Sequence, residues 1–164
     1  ISIRKSGPRD LQVLVNIATP DEKKVVFGGR QAQIYFPKLK TVQIYDLGKQ
    51  SELVDQFMLL GFGATGRELK ESYNVQYAGE AQIGGQKAHK LELTPKSAKL
   101  KENIRRIDLW ISESGAYPLQ QQFIQPSGDY YLFTYSNVKA NPSLSADQLK
   151  LQLPKGVKKE YPQK

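Results

Sequence analysis

The chain of 164 residues has no cysteine, one histidine and no long hydrophobic run. Without thiols there can be no disulfide, no cysteine nucleophile, no zinc finger and no iron–sulfur cluster. With His89 as the sole imidazole, a multi-histidine metal site is excluded, and a Ser-His-Asp triad would have to use that one residue. No stretch approaches the ~18 apolar residues of a membrane-spanning helix. The longest helical apolar stretch, residues 53–62, is broken by Asp55, Gln56 and Gly61. Apolar residues make up 39% of the chain, low for a globular protein but too high for a disordered one. The length suits a single domain over 1–164 with a core of ordinary size. Residues 1–5 alternate like a strand and lack the apolar core of a signal peptide. A signal peptide is therefore expected to have been removed or to lie outside this sequence.

What is present is mostly a period of two. Leu11, Val13, Val15 and Ile17 alternate with Gln12, Leu14, Asn16 and Ala18. Comparable alternation runs through Val42 and Ile44, through Tyr73, Val75 and Tyr77, and through His89, Leu91 and Leu93. It continues through Ile107, Leu109 and Ile111, then Leu119, Gln121 and Phe123, then Tyr131, Phe133 and Tyr135, and ends at Leu149, Leu151 and Leu153. Such strands set one face on a core and one in water. Gly28-Gly29, Gly84-Gly85, Ser114-Gly115 and Ser127-Gly128-Asp129 supply the turns of an antiparallel meander of about eight to ten strands. Connections this short leave no room for the crossover helices of a parallel sheet.

Two helices are predicted between the two blocks of strands. Ser51 can cap a helix over 52–60 that stops at Gly61, with Leu53, Phe57 and Leu60 on one stripe beside Val54 and Met58. Thr65-Gly66-Arg67-Glu68 fits a capping box opening a helix to about Glu71. A helix is ~10 Å wide, whereas eight strands at ~4.8 Å span nearly 40 Å. Helices so few and short cannot cover one face of that sheet. The sheet must curl around them, close on itself, or leave an apolar concavity. Periodicity leaves open whether the interior is a ligand cavity or a filled barrel core.

The net charge is +8, and residues 87–106 alone contribute +5 of it. Lys96, Lys99, Lys101, Arg105 and Arg106 form a basic surface that could attract an anionic membrane or an acidic partner, or simply keep a solvated face. Nucleic acid is disfavoured. The aromatics Tyr73, Tyr77, Phe123, Tyr131, Phe133 and Tyr135 fall on apolar strand faces and are expected in the core, and no exposed stacking motif is present. No nucleophile elbow accompanies His89, which reads as a strand-end histidine with a structural partner or a solvent-facing tip. Gly61-Phe62-Gly63-Ala64-Thr65-Gly66 follows a helix rather than a strand and lacks a Walker lysine, so it reads as a joint rather than a phosphate loop. No catalytic residue, metal site or cofactor is assigned.

The order of short motifs carries a further indication. Thr19-Pro20-Asp21-Glu22, the Gly28-Gly29 turn, Ile34-Tyr35-Phe36-Pro37, Phe57-Met58-Leu59-Leu60, Leu93-Thr94-Pro95-Lys96, Ile107-Asp108-Leu109-Trp110-Ile111 and Leu153-Pro154-Lys155-Gly156-Val157 occur in sequence. Over nearly the whole chain this series resembles the periplasmic outer-membrane lipoprotein carriers of the LolA type. The resemblance implies a mainly β (α+β) fold: a curled antiparallel sheet, or incomplete β-barrel, with short helices as a lid over an apolar cavity. It also implies an N-terminal helix and first strand ahead of Ile1. The family usually has Asp-Gly where Gly28-Gly29 stands. Its Arg before Pro, which governs lid closure and release, has only Arg4 or Lys5 as a counterpart here.

The function implied is that of a non-enzymatic carrier. It would bind the acyl chains of lipoproteins or related lipids in the periplasm for transfer to the outer membrane, as a monomer. An inner-membrane release complex, an outer-membrane receptor and transient contact with an anionic membrane surface would be its partners. The expected lid spans about 51–71, with Leu53, Phe57, Met58, Leu60 and Phe62 facing the cavity. The expected wall is Val13, Val15, Ile34, Phe36, Val42, Ile44, Val75, Leu91, Leu93, Leu109, Phe123 and Phe133. Burying a ~14-carbon chain at about 0.8 kcal/mol per CH₂ offers on the order of 10 kcal/mol gross. Two alternatives stand beside it: a sensor or adaptor domain of the same fold that binds a protein partner or envelope lipid, and a lipid hydrolase using His89.

Overall fold

The computed structural model describes residues 1–7, 10–48, 60, 62, 64–115 and 117–163. The predicted helix over 52–60 lies outside them except for Leu60, and so do Leu53, Phe57 and Met58 of the expected lid. The fold is mainly β, as expected. Eleven strands are present among the described residues, in two open sheets, and neither sheet closes into a barrel.

The chain forms two compact units. The first comprises Ile1–Met58 with Ser143–Lys164. Its sheet runs in the order β1 (Ser2–Gly7), β2 (Asp10–Ile17), β3 (Lys23–Gly28), β4 (Gln31–Phe36), β5 (Thr41–Asp46) and β11 (Lys158–Glu160). The first five strands are an antiparallel meander, and β11 returns to lie parallel to β5. Gly28-Gly29 does not form the centre of the β3–β4 turn. Gly28 ends β3, and Gly29 and Arg30 take left-handed φ values of 58° and 64°. Both central residues of a type I′ turn need positive φ, and the turn's twist matches that of the strands. The strand expected through Leu149, Leu151 and Leu153 is instead a 3₁₀ turn over Ala146–Leu149 followed by irregular chain. Leu149 is buried and its turn packs on β1 and β2, so its side chain is used without a ladder.

The second unit comprises Leu59–Pro142. Its sheet is an antiparallel meander in the order β10 (Tyr130–Thr134), β9 (Pro118–Ile124), β8 (Arg106–Ser112), β7 (Gln86–Pro95) and β6 (Tyr73–Ile83). Helix α1 (Gly66–Ser72) leads into β6 with the predicted capping box. The Thr65 hydroxyl accepts the Glu68 N–H at 3.2 Å, and the Glu68 carboxylate accepts the Thr65 N–H at 2.7 Å. Two donors left open at a helix N-terminus are thereby satisfied. A single turn, α2 (Ala98–Lys101), lies against β7 and buries Leu100. The β6–β7 hairpin turns on Gly84-Gly85 at φ 56° and 79°, as the sequence suggested. No helix among the described residues is long and apolar enough to cross a membrane.

Candidate functional site

Residues directly opposite in an antiparallel ladder point to the same side of the sheet. In the second unit the register therefore lines up two apolar rungs on one face. Val75, Leu93, Ile107, Phe123 and Tyr131 form one rung. Tyr77, Leu91, Leu109, Gln121 and Phe133 form the next. The five members of the expected wall that belong to this unit besides Phe133 (Val75, Leu91, Leu93, Leu109 and Phe123) thus share a face with it. Leu93, Ile107 and Leu109 at its centre are fully buried. Toward the outer strands the face opens. Tyr77, Tyr131 and Phe133 are exposed at 58%, 59% and 46%. Their expected place in the core is corrected: they lie on the outermost strands β6 and β10, where nothing pairs beyond them among the described residues.

Gln121 is the one polar residue in these rungs, and it is buried. Its amide nitrogen donates to the Leu60 carbonyl, and its Oε1 accepts the Tyr135 hydroxyl at 2.8 Å. The Phe62 ring meets Tyr135 edge-on at 4.9 Å. Leu60 itself is 1% exposed. The end of the expected lid segment is therefore anchored on the apolar side of this sheet through Gln121 and Tyr135. Burial pushes the Tyr135 hydroxyl, and that of Tyr73, up to about 12. Neither Gln121 nor Tyr135 stood out as functional in the sequence. The available signal was a glutamine at the position between Leu119 and Phe123 where the alternation calls for an apolar residue.

The opposite face is closed by its own charges. Asp108, with a side chain 3% exposed, receives Lys90 Nζ at 2.9 Å and Arg106 Nε at 2.7 Å. Glu92 joins through Lys90 at 3.3 Å and Arg106 at 3.5 Å. The Lys90 ammonium also sits 5.2 Å above the Trp110 ring. Its hydrogen bond to Asp108 raises the lysine above its ordinary value, against the opposing cost of burial. A buried carboxylate held by two cations has its charge offset within the sheet.

In the first unit the expected wall divides. Val13, Val15 and Ile34 lie on one face through the pairs Val13↔Phe27, Val15↔Val25 and Val25↔Ile34, and Phe36 follows Ile34 by period two. Val42 and Ile44 stand opposite Tyr35 and Gln33, on the other face of the sheet. A strand buried on both sides carries apolar residues at both parities, which sequence alternation cannot sort. Val42 is fully buried there. Lys5 pairs with Leu11, on the face of Val13, and Arg4 pairs with Gln12, on the reverse. Of the two latch candidates, Lys5 is the one on the face of Leu11 and Val13.

Of the basic surface, Lys99, Lys101 and Arg105 are exposed. Lys96 donates to the Lys70 carbonyl, and Arg106 is engaged by Asp108 and Glu92. His89 Nδ1 lies 3.4 Å from the Tyr77 hydroxyl, beside a shallow depression lined by Glu80, Ala81, Gln82, Lys87, Ala88 and Glu113. The Tyr77 hydroxyl is the polar group that His89 meets on its strand face. Among the described residues no group of three or more His, Asp or Glu could hold a metal ion.

The family model for the outer membrane lipoprotein carrier protein LolA matches residues 9–152. No curated protein matches the chain. The crystal structure of MucB superposes with a TM-score of 0.53 at 16% identity, covering 91% of this chain and 50% of MucB. The chain thus spans about half the length of that protein. An uncharacterized conserved protein from Thermus thermophilus superposes at 0.52 and 14% identity, over 93% of this chain and 75% of its own. The complex of the CwlD amidase from Clostridioides difficile with the GerS lipoprotein contains a chain that superposes at 0.52 and 12% identity, over 78% of this chain and 68% of its own. At such identities the likeness is one of fold, and it agrees with the family match. With residues 9–152 matched, two sheets of antiparallel strands and an apolar face assembled on one of them, the chain belongs to the LolA family of outer membrane lipoprotein carrier proteins.

Proposed function

We propose that this protein is a non-enzymatic carrier that binds the acyl chains of lipoproteins or related lipids on the apolar face of its second unit, in the periplasm, for transfer to the outer membrane. The carrying observation is the register of β6 to β10. It places Val75, Leu91, Leu93, Leu109, Phe123 and Phe133 on one face while the reverse face is closed by ion pairs. The partly open aromatic rim at Tyr77, Tyr131 and Phe133 offers apolar surface that no described residue of the chain fully covers. Each acyl CH₂ buried there would contribute about 0.8 kcal/mol. Leu53, Phe57, Met58, Leu60 and Phe62 act as the lid on this reading, with Leu60 held through Gln121. The lid must open at modest cost for release.

Native mass spectrometry of the protein mixed with a triacylated lipopeptide tests this. A one-to-one adduct, competed by free fatty acid and lost in Phe57→Asp, supports the carrier reading. A folded protein that forms no adduct with any acylated ligand overturns it. The alternative, a sensor or adaptor domain, draws on the neighbour solved in complex with the CwlD amidase. It would be favoured by a stable protein partner together with absence of the lipid adduct.

A further inference from the structure

An edge strand exposes a row of unpaired backbone groups, and proteins blunt such edges with charge, proline, bulges or short length. Among the described residues the two sheets have four edges, β1, β11, β6 and β10. Three of them are blunted. Strand β1 carries Arg4 and Lys5 and a register shift after Lys5. Strand β11 has three residues, two of them Lys158 and Lys159. Strand β6 is interrupted between Tyr77 and Glu80, with Gly79 at φ 102°. Strand β10 has none of these devices. Its sequence is Tyr-Tyr-Leu-Phe-Thr, its register with β9 is unbroken, and all five residues are exposed.

Antiparallel pairing alternates between residues bonded to the neighbour and residues directed away from it. Asp129 and Tyr135 both bond to the β9 side, through Gln125 N–H to the Asp129 carbonyl at 2.8 Å and Tyr135 N–H to the Leu119 carbonyl at 2.9 Å. By parity Tyr131 and Phe133 also face β9. The N–H and C=O groups of Tyr130, Leu132 and Thr134 point outward, where no strand pairs with them among the described residues. Uncharged and unbroken in register, this edge is a template for strand addition.

The occupant follows from charge and size. Each copy of the chain carries +8, so two copies repel, and a five-residue strand buries less than the ~1,200 Å² of a stable dimer. An acidic segment is attracted instead. The exposed Lys99, Lys101 and Arg105 lie at the end of the sheet where β10 begins, because Arg105 bonds to Ile124 and Ile124 pairs with Tyr130. We propose that the open edge of β10 is a docking strand for an extended, net-acidic segment of another polypeptide, which adds to the second unit's sheet through the backbone of Tyr130, Leu132 and Thr134. The antiparallel sense, the more stable of the two, sets the segment's acidic C-terminal end beside the basic residues. Its apolar side chains at alternate positions then pack beside Tyr131 and Phe133.

A dye-labelled synthetic peptide of alternating valine and threonine ending in glutamates is the probe, read by fluorescence anisotropy. Binding should fall at least about tenfold when the peptide's edge-facing amides are N-methylated, since each backbone hydrogen bond contributes about 1 kcal/mol. It should fall similarly in Leu132→Lys. The added lysine raises the positive charge, so plain electrostatic attraction would strengthen binding and overturn strand addition. Hydrogen exchange supplies the second readout. The Tyr130, Leu132 and Thr134 amides should exchange quickly in the free protein and slowly with the peptide bound. Unchanged exchange, equal binding of the N-methylated peptide, or a concentration-dependent dimer sealed at β10 would each overturn the proposal. Leu132 lies on the ion-paired side of the sheet, so the lipopeptide adduct should persist in Leu132→Lys. Failure of the docking strand and failure of the carrier reading are thereby distinguishable.

Discussion

The sheet of the first unit buries large apolar side chains on both faces, whereas that of the second buries them on one. In the first, Val13 and Ala32 are buried on one side and Tyr35 and Val42 on the other. In the second, the face of Leu93, Ile107 and Leu109 is apolar, and its reverse is a ladder of Gln76, Glu92, Asp108 and Gln122. A sheet with buried side chains on both faces serves as a scaffold. A sheet with one apolar face and one ion-paired face has a surface to offer. The candidate site therefore belongs to the second unit, and the aromatic rim around the buried centre marks where its coverage runs out.

The largest effects should come from breaking this contrast at the cores. Leu109→Ala is expected to destabilise by about 2–5 kcal/mol, as do other large-to-small core changes. Tyr131→Ser on the same face should stay within about 0.5 kcal/mol, as an exposed position does. In the first unit, Val13→Ala and Val42→Ala should each cost about 1–3 kcal/mol despite lying on opposite faces. Urea unfolding midpoints would check all four, and a neutral Val42→Ala would erase the distinction between the sheets.

A smaller effect is expected on the polar face of the second unit. Asp108→Asn leaves Lys90 and Arg106 with Glu92 alone and should cost about 1–3 kcal/mol. An unchanged urea midpoint would mean that the ladder behaves as an exposed ion pair, with negligible net value.

Alkaline titration sharpens the comparison further. The Tyr73 and Tyr135 hydroxyls sit at about 12 in the folded protein, against 10.0 for an unburied tyrosine. The unfolded chain therefore ionises first. Their stabilising contribution is complete below pH 10 and is lost as pH rises toward 12. Lys90, also raised, acts in the same direction, being fully favourable below its unfolded value and lost above its folded one. Stability followed by circular dichroism should fall steeply over this range, and Tyr135→Phe should flatten part of the fall.

The smallest effect compares the two tight hairpins. Gly84-Gly85 meets the demand for positive φ with glycine twice, whereas Gly29-Arg30 does so with an arginine at φ 64°. Arg30→Gly should gain about 0.5 kcal/mol from relieved strain, offset in part by chain entropy. If thermal unfolding registers no gain, the 3.1 Å hydrogen bond from Arg30 to the Gly48 carbonyl holds the balance.

Much of the fold was legible because its signals are local. Period-two alternation located most of the strands, glycine-bearing dipeptides located several of the turns, and Thr65 with Glu68 marked a helix start that the structure reproduces atom by atom. Legibility failed where the signal is not local. Val42 and Ile44 looked like partners of Val13 because alternation reports parity within a strand, not which face of the sheet that parity occupies. Tyr131 and Phe133 looked like core because exposure depends on whether another strand follows. Leu149 looked like strand because a buried leucine needs only a surface to pack on, which β1 and β2 provide.

The amino-acid sequence by itself determined the antiparallel β character, the hairpin positions, the helix cap and the family, since each rests on side-chain period, backbone permission or motif order within the chain. Only the tertiary structure decided which strands share a sheet, which residues share a face, that Gln121 holds Leu60, and that β10 ends a sheet with its backbone open. Those outcomes depend on register between segments far apart in sequence, where one residue of slip exchanges the two faces.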